Sequence, residues 1–318
     1  MKNKLFGAIF GTAVGDASGV PVEFNSRKTL EKQPVVDMTG YGTHCQPPGT
    51  WSDDSSLTFC LVEMLCRGYD LNKLAKYFVD WKTEAYWSAH GKVFDIGIST
   101  RRAIDNLARG INPVMAGGDT ENDNGNGSLM RILPLAFYIK DNPIEYRWKL
   151  VEEISSLTHR HIRSIIACFI YIEYAIKLID GKEKFEAFDE TVSTVNHFLN
   201  NNAICSEKEL KIFDFILQNP SESHKNLIRL SKNDIESSGY VVHSLKASLW
   251  SFLTSDSFEE TVLKAVNLGE DTDTVGAVSG GLAGLYYGFD SIPRKWINRL
   301  ARTKDIENLC ARYLKVIE

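Results

Sequence analysis

"GEDTDTVGAVSGGLAGLYYG", residues 269–288, joins three acids and two threonines to a run that is small and apolar. The second part carries Gly276, Gly280, Gly281 and Gly284. Glycine inside a helix costs roughly 1 kcal/mol against alanine. Four of them in one predicted helix, 272–287, imply a compensating close approach by a second helix. That places the helix in a buried position and argues for helix-on-helix packing. The acids at its start are then hard to explain as decoration. Asp271 and Asp273 cannot both cap one helix, so the cluster is either a cap with a spare acid or half of a metal site.

Helical periodicity runs outward from this point in both directions. Leu57, Cys60, Leu61, Met64 and Leu65 share one face of 56–67, and Leu71, Leu74, Phe78 and Trp81 share one face of 71–87. The stretch 162–179, "IRSIIACFIYIEYAIKLI", is apolar nearly all round and reads as a central buried helix. Further helices are predicted at 207–217, 241–254, 258–267 and 304–316. Most prolines fall between these segments; Pro134 lies inside a plausible helix, where it marks a kink or a first turn. There is no strand alternation and no βαβ rhythm. The fold class is all-α, as a single compact domain over 1–318. Two polar loops stand out, 40–55 and 116–128, the second either a surface loop or one laid over a site. The more polar region 181–240 reads as a peripheral helical layer.

Composition narrows the function classes. The chain is 43% hydrophobic and 24% charged with a net charge of −5, so phosphate-driven nucleic-acid binding is not suggested. The six cysteines, Cys45, Cys60, Cys66, Cys168, Cys205 and Cys310, form no CxxC pair and read as free thiols of a reducing compartment. The N-terminal apolar stretch is broken by glycines and followed by Asp16, so a membrane span is not expected and the protein reads as cytoplasmic.

A second acid cluster resembles the first. "GTWSDDSSLTF" (49–59) sets Ser52, Asp53 and Asp54 directly before a helix. Alone it reads as an N-cap. Asp271, Asp273 and Thr274 repeat the same donor set, two carboxylates and a hydroxyl. Oxygen donors of this kind suit hard divalent cations. Four carboxylates brought together would repel without cations between them, and a pair of divalent ions resolves that.

Five motifs in order now resemble the ADP-ribosylglycohydrolases, the group of dinitrogenase-reductase-activating glycohydrolase and the vertebrate ADP-ribosylarginine hydrolases. They are "GAIFGTAVGDASGVPVEF" (7–24), "GTWSDDSSLTF" (49–59), "DIGIST" (95–100), "GNGSLMRILPLA" (125–136) and "NLGEDTDTVGAVSGGLAGLYYG" (267–288). The resemblance implies an orthogonal all-helical fold with two divalent ions, Mg²⁺ or Mn²⁺. Family ligands match Ser52, Asp53, Asp54, Asp271, Asp273 and Thr274; the family usually has threonine at the place of Ser52, and the hydroxyl is retained. The matching glutamate, Glu23, is implicated in gating or acid–base work. Asp95 matches an aspartate of the arginine-directed branch that binds guanidinium, a fork a carboxylate meets bidentately. Gly125, Asn126, Gly127 and Ser128 match a loop at the pyrophosphate or ribose, and the glycines leave its N–H groups accessible. His159 matches a histidine near bound ADP-ribose.

Without the resemblance, several of these residues have plainer readings. Asp16 bonds turn backbone, Asp95 caps a helix, "GNGS" is a turn that opens a helix, Arg131 is a buried structural cation, and His161 is incidental. With it, the expected reaction is hydrolysis of the bond between ADP-ribose and a protein side chain, arginine foremost. A carboxylate among Glu23, Asp53, Asp54 and Asp273 would take the proton from a water whose pKa the ions lower. No covalent glycosyl-enzyme is expected. Competing readings are the same scaffold on O-acetyl-ADP-ribose, ADP-ribosyl-serine or ADP-ribosylated nucleic acid, a non-catalytic ADP-ribose binder, and a two-metal phosphohydrolase. The expected partner is an ADP-ribosylated protein, with no membrane and the chain as a monomer.

Overall fold

The computed structural model describes residues 1–218 and 223–318. Helices joined by turns make up the described residues; three isolated bridges occur and no strand. The predicted glycine helix is Thr272–Tyr287. Its close partner is the N-terminal helix, Lys2–Gly19. The two run antiparallel with their glycines in register. A Cβ on Gly7 would stand 2.0 Å from the Gly284 carbonyl oxygen, one on Gly11 2.2 Å from that of Gly280, and one on Gly15 2.0 Å from that of Gly276. Backbone rests on backbone, so no side chain fits between the helices.

Both helices are apolar around their circumference because other helices surround them. Val266 and Phe289 belong to the segments flanking the pair, and Tyr171 of Ile162–Ile179 donates to the Val278 carbonyl at 2.9 Å. The glycines do not interrupt the N-terminal helix, contrary to expectation. Lys2–Val22 is, by length and composition, long and apolar enough to cross a membrane, yet 94% of its apolar window is buried inside the protein. Its hydrophobicity is that of a core helix.

Six other predicted helices fall close to their places: Asp53–Leu65, Leu71–Glu84, Ile162–Ile179, Val241–Leu253, Phe258–Val266 and Thr303–Ile317; Ile98–Ala108, Ile144–Ser156 and Lys184–Asn201 had no predicted bounds. Leu71–Glu84 stops early because Ala85 turns left-handed. The predicted helix 207–217 is two short ones, Glu207–Lys211 and Asp214–Leu217. Pro134 precedes Leu135–Ile139, so it opens a helix rather than kinking one. Two further corrections touch the site motifs. Asp95 is not a cap: it lies in irregular chain with φ 49°, and the next helix begins at Ile98 behind Gly97. "GNGS" opens no helix either; turns follow it as far as Leu135.

The central helix is buried from Arg163 through Ile176. Lys184–Asn201 and Val241–Leu253 pack on it, and buried residues from Leu5 to Tyr313 join in one hydrophobic cluster. All six cysteines are free thiols, with Cys60, Cys168 and Cys310 buried and Cys45 exposed.

Candidate active site

The glycine contact ends where the acids begin. A Cβ on Gly19 would lie 2.3 Å from the Thr272 carbonyl oxygen, so the helix pair carries the start of Thr272–Tyr287 against the end of Lys2–Gly19. Asp16, one turn earlier, reaches the other acid cluster. Its carboxylate accepts from the Ser52 N–H at 2.9 Å, the Ser55 N–H at 3.0 Å and the Ser55 hydroxyl at 2.5 Å. Asp16 thus holds the first turn of Asp53–Leu65 from a neighbouring helix, as its plain reading expected. Two helix N-termini now face each other across the acids. The partial positive charge of each favours carboxylates there.

The clusters touch. Thr274 Oγ1 donates to Asp54 Oδ2 at 3.3 Å, and Ser52 Oγ donates to the same oxygen at 3.2 Å. Ser52 also caps its helix, accepting from the Asp54 N–H at 3.3 Å, so cap and candidate ligand are one residue. Asp271 stands at the N-cap position of its helix without making a cap bond; Asn126 Nδ2 donates to its Oδ2 at 2.8 Å. Asp273 Oδ1 accepts from the Thr274 N–H at 2.9 Å. Two buried oxygens, Asp54 Oδ1 and Asp273 Oδ2, have no hydrogen-bond partner. A buried carboxylate oxygen without a donor is costly. Glu23 joins from the end of the first helix: one carboxylate oxygen each of Glu23, Asp271 and Asp273 lie within 4.8 Å of one another. At such separations two like charges repel by ~3–4 kcal/mol in a partly solvated interior. Unpartnered oxygens, acceptor-only carboxylates and uncompensated charge together fit divalent cations.

Burial drives the electrostatics. It pushes the carboxyls of Asp53, Asp54 and Asp273 well above their ordinary range, and the facing acids push the same way. Glu23 rises to about 7 by burial, opposed by its bond to His44. These folded-state values lie above those of the unfolded chain. Without metal, the stability the groups contribute is complete at low pH and lost as pH rises from about 4 through 7. The expected result is a melting temperature in EDTA that falls over that window, with saturating Mg²⁺ or Mn²⁺ flattening or reversing the slope. Parallel slopes with and without metal, read by thermal denaturation, would remove cations from this site.

A cleft of about 510 Å³ opens above the acids. Glu23, Asp53, Asp95, Asp271 and Thr274 line it on one side, and Gly125, Asn126, Gly127 and His159 on another. The loop 116–128 therefore runs along the site. Arg131 is fully buried and shapes this loop: Nη1 donates to the Gly127 carbonyl, Nη2 to the Ile154 carbonyl at 3.0 Å, and the guanidinium lies over Phe78. Its partners are carbonyls, not a carboxylate. His159 is buried behind the loop, its Nδ1 bonded to Thr158 Oγ1 at 2.8 Å, and burial lowers its pKa to about 3, so the ring is neutral. The glycines leave room for it, since a Cβ on Gly127 would stand 2.8 Å from His159 Cε1.

Ser128 does not sit where the motifs suggested, whereas His161 is incidental to the cleft, as expected. Ser128 is fully buried off the cleft, paired with Cys168 Sγ at 3.4 Å. His161 caps the central helix, accepting from the Arg163 N–H at 3.3 Å. Other cleft residues were not singled out by sequence. Phe24 is 65% exposed with φ 63°, and the ion pair Arg102–Asp123 and Gly239 also line the opening. Phe24 and Asp123 lie in the stretches 7–24 and 116–128 that the sequence marked, whereas Arg102 and Gly239 carry no local signal and reach the cleft through contacts between distant segments.

An all-helical chain whose two acidic helix starts converge under a glycine-lined cleft is arranged as a metal-assisted hydrolase. The ADP-ribosylglycohydrolase profile matches residues 1–318, and the chain belongs to that family of hydrolases. It is 31% identical over 306 residues to ADP-ribosylarginine hydrolase Tri1 of Pseudomonas putida, covering 95% of this chain and 76% of that one. It is 30% identical to ADP-ribosyl-[dinitrogen reductase] glycohydrolase of Rhodospirillum rubrum, over 94% and 90% of the two chains. The solved structure of an ADP-ribosylglycohydrolase-related protein complex superposes with a TM-score of 0.81 at 30% identity, over 100% of this chain and 99% of that one.

Proposed function

We propose that this cleft removes ADP-ribose from modified protein side chains, arginine foremost, with two divalent cations held by Ser52, Asp53, Asp54, Asp271, Asp273 and Thr274. The observation that carries the reading is the pair of buried, unpartnered carboxylate oxygens on Asp54 and Asp273, one from each facing helix start. Mg²⁺ or Mn²⁺ bound there would supply Lewis acidity and a water of lowered pKa. The protein's own groups do the rest. Glu23, with a carboxyl near pKa 7, can take up and return a proton at neutral pH. The Gly125–Gly127 loop offers a surface without bulky side chains to the ADP-ribose, and neutral His159 fixes its floor. Asn126 aims Asp271. The many carboxylates also favour a sugar carrying positive charge in the transition state.

Asp95 at the mouth suits a guanidinium leaving group. Asp95→Ala should lower kcat/KM on arginine-linked ADP-ribose by about 30-fold, the worth of a charge-assisted bond of ~2 kcal/mol. Serine-linked and nucleic-acid-linked substrates should lose less; equal losses on all three would break the assignment. The function itself is tested by incubating the protein with the three linkages in Mg²⁺, Mn²⁺ or EDTA and resolving products. Free ADP-ribose supports the proposal, AMP indicates pyrophosphate cleavage, and no product with metal present leaves only a binding role. The protein is proposed to act as a monomer in the cytoplasm, on a protein partner.

A further inference from the structure

The segment before the first acid cluster contains a turn that clamps Glu23. Tyr41–Gln46 closes on itself, with the Tyr41 N–H bonded to the Gln46 carbonyl at 2.5 Å and Gln46 Nε2 to the His44 carbonyl at 3.1 Å. Its backbone is strained: Tyr41 has φ 71° and Cys45 φ 53°, in the region non-glycine residues seldom occupy. Gly42 lies flat against the chain before Glu23, where a Cβ would stand 1.7 Å from the Pro21 carbonyl oxygen. Three bonds then tie the turn to that chain. The Thr43 N–H donates to the Pro21 carbonyl at 2.9 Å, Thr43 Oγ1 donates to the Glu23 carbonyl at 2.7 Å, and His44 Nε2 bonds Glu23 Oε2. The pair is secluded, with side-chain exposures of 16% and 5%. The His44 ring stands between those of Phe24 and Phe94, at 6.1 and 5.3 Å.

No residue of this turn belongs to the hydrophobic cluster of the described residues. It is polar, it touches the cleft-lining residue Glu23, and its bonds end on Pro21 or Glu23 or within itself. Strain of this kind concentrates where a group must be held for function. The turn also leads within six residues to Ser52, so the same stretch of chain fixes Glu23 and delivers the first acid cluster.

We propose that His44 is a positioning residue for Glu23, holding its carboxylate over the acid site from the strained turn Tyr41–Gln46. The proposal rests on the reading of this cleft, which Glu23 lines, as the site of ADP-ribose removal. Without the bond, the Glu23 carboxylate loses the side-chain partner that orients it, and displacement of a reacting group by about 1 Å costs on the order of 10²-fold in rate. His44 touches no reacting atom, so its effect falls on kcat and leaves KM unchanged.

The test uses the full-length, metal-loaded protein and arginine-linked ADP-ribose. Wild-type turnover is measured first; its absence would sink the function proposed above, and the clamp would then be judged on hydrogen exchange of residues 20–25 alone. His44→Ala should lower kcat about 10²-fold with KM unchanged and speed amide exchange across 20–25. His44→Gln, which keeps a donor near the place of Nε2, should recover most of the rate. Both should melt within a few degrees of wild type. A His44→Ala protein with wild-type kcat and unchanged exchange overturns the proposal. So does a loss that His44→Gln does not restore, or one that follows a fall in melting temperature, since either would mark a purely structural histidine.

Discussion

Asp273→Asn should abolish turnover and, in the same protein, raise thermal stability when no metal is present. The two effects have one cause. Asp273 is buried among Glu23, Asp54 and Asp271, and one of its oxygens has no donor. Its isosteric amide keeps the packing while removing a charge that the folded protein must otherwise protonate or neutralise. Repulsion falls, so the metal-free variant should melt above the metal-free wild type. With Mg²⁺ or Mn²⁺ the order reverses. Wild type gains ~2.7 kcal/mol at a cation concentration a hundred times Kd, and a variant lacking one oxyanion donor gains little. Loss of a residue that merely supports metal ligands already lowers affinity 10–100-fold, so loss of a direct donor should lower turnover by at least about 10²-fold. Steady-state release of ADP-ribose and thermal melts with and without metal read both effects. Wild-type rates, or a variant that gains as much from metal as wild type does, would remove Asp273 from the site.

Gly11→Ala, at the middle of the glycine contact, should be strongly destabilising. Its Cβ would stand 2.2 Å from the Gly280 carbonyl oxygen, and that atom cannot move aside because a Cβ on Gly280 would be equally close to the Gly11 carbonyl, at 2.3 Å. The helices must part. Overpacking costs typically 1–3 kcal/mol, and here backbone has to shift along two helices at once, so at least ~3 kcal/mol is expected. For a chain of this size that lowers the melting temperature by on the order of 5–10 °C. Activity should fall further than stability accounts for, because parting the helices moves Thr272 and Asp273 away from Gly19 and Asp16. Gly97→Ala is the control: it sits at φ −56° with only Thr100 Oγ1 nearby, at 3.8 Å, so its melting temperature should not change. Equal melting temperatures for the two variants would show that the helix contact tolerates side chains.

These two residues mark how far the sequence could be read. Helix positions followed from 3.6-residue periodicity, a local property, and most of them are found within a residue or two. They failed where local pattern and local geometry part: at Asp95, whose left-handed backbone no capping pattern predicts, and after Gly127, where the chain runs in turns and Arg131 bonds the Gly127 carbonyl. The two acid clusters were visible because each packs its donors into three residues at a helix start. Glycines 276, 280 and 284 announced a close neighbour without saying which helix it was.

By itself, then, the sequence determined the all-helical class, the two acid clusters and, through five ordered motifs, the family. The tertiary structure alone decided that Lys2–Gly19 is the partner in the glycine contact, that Asp16 braces Ser52 and Ser55, and that Ser128 faces the core. It alone brought His44 to Glu23, twenty-one residues away along the chain. The division has a physical reason. Periodicity and donor spacing are set by neighbours a few bonds away. Which helix lies against which, and which donor meets a buried carboxylate, is set by contacts between distant segments that no short stretch encodes.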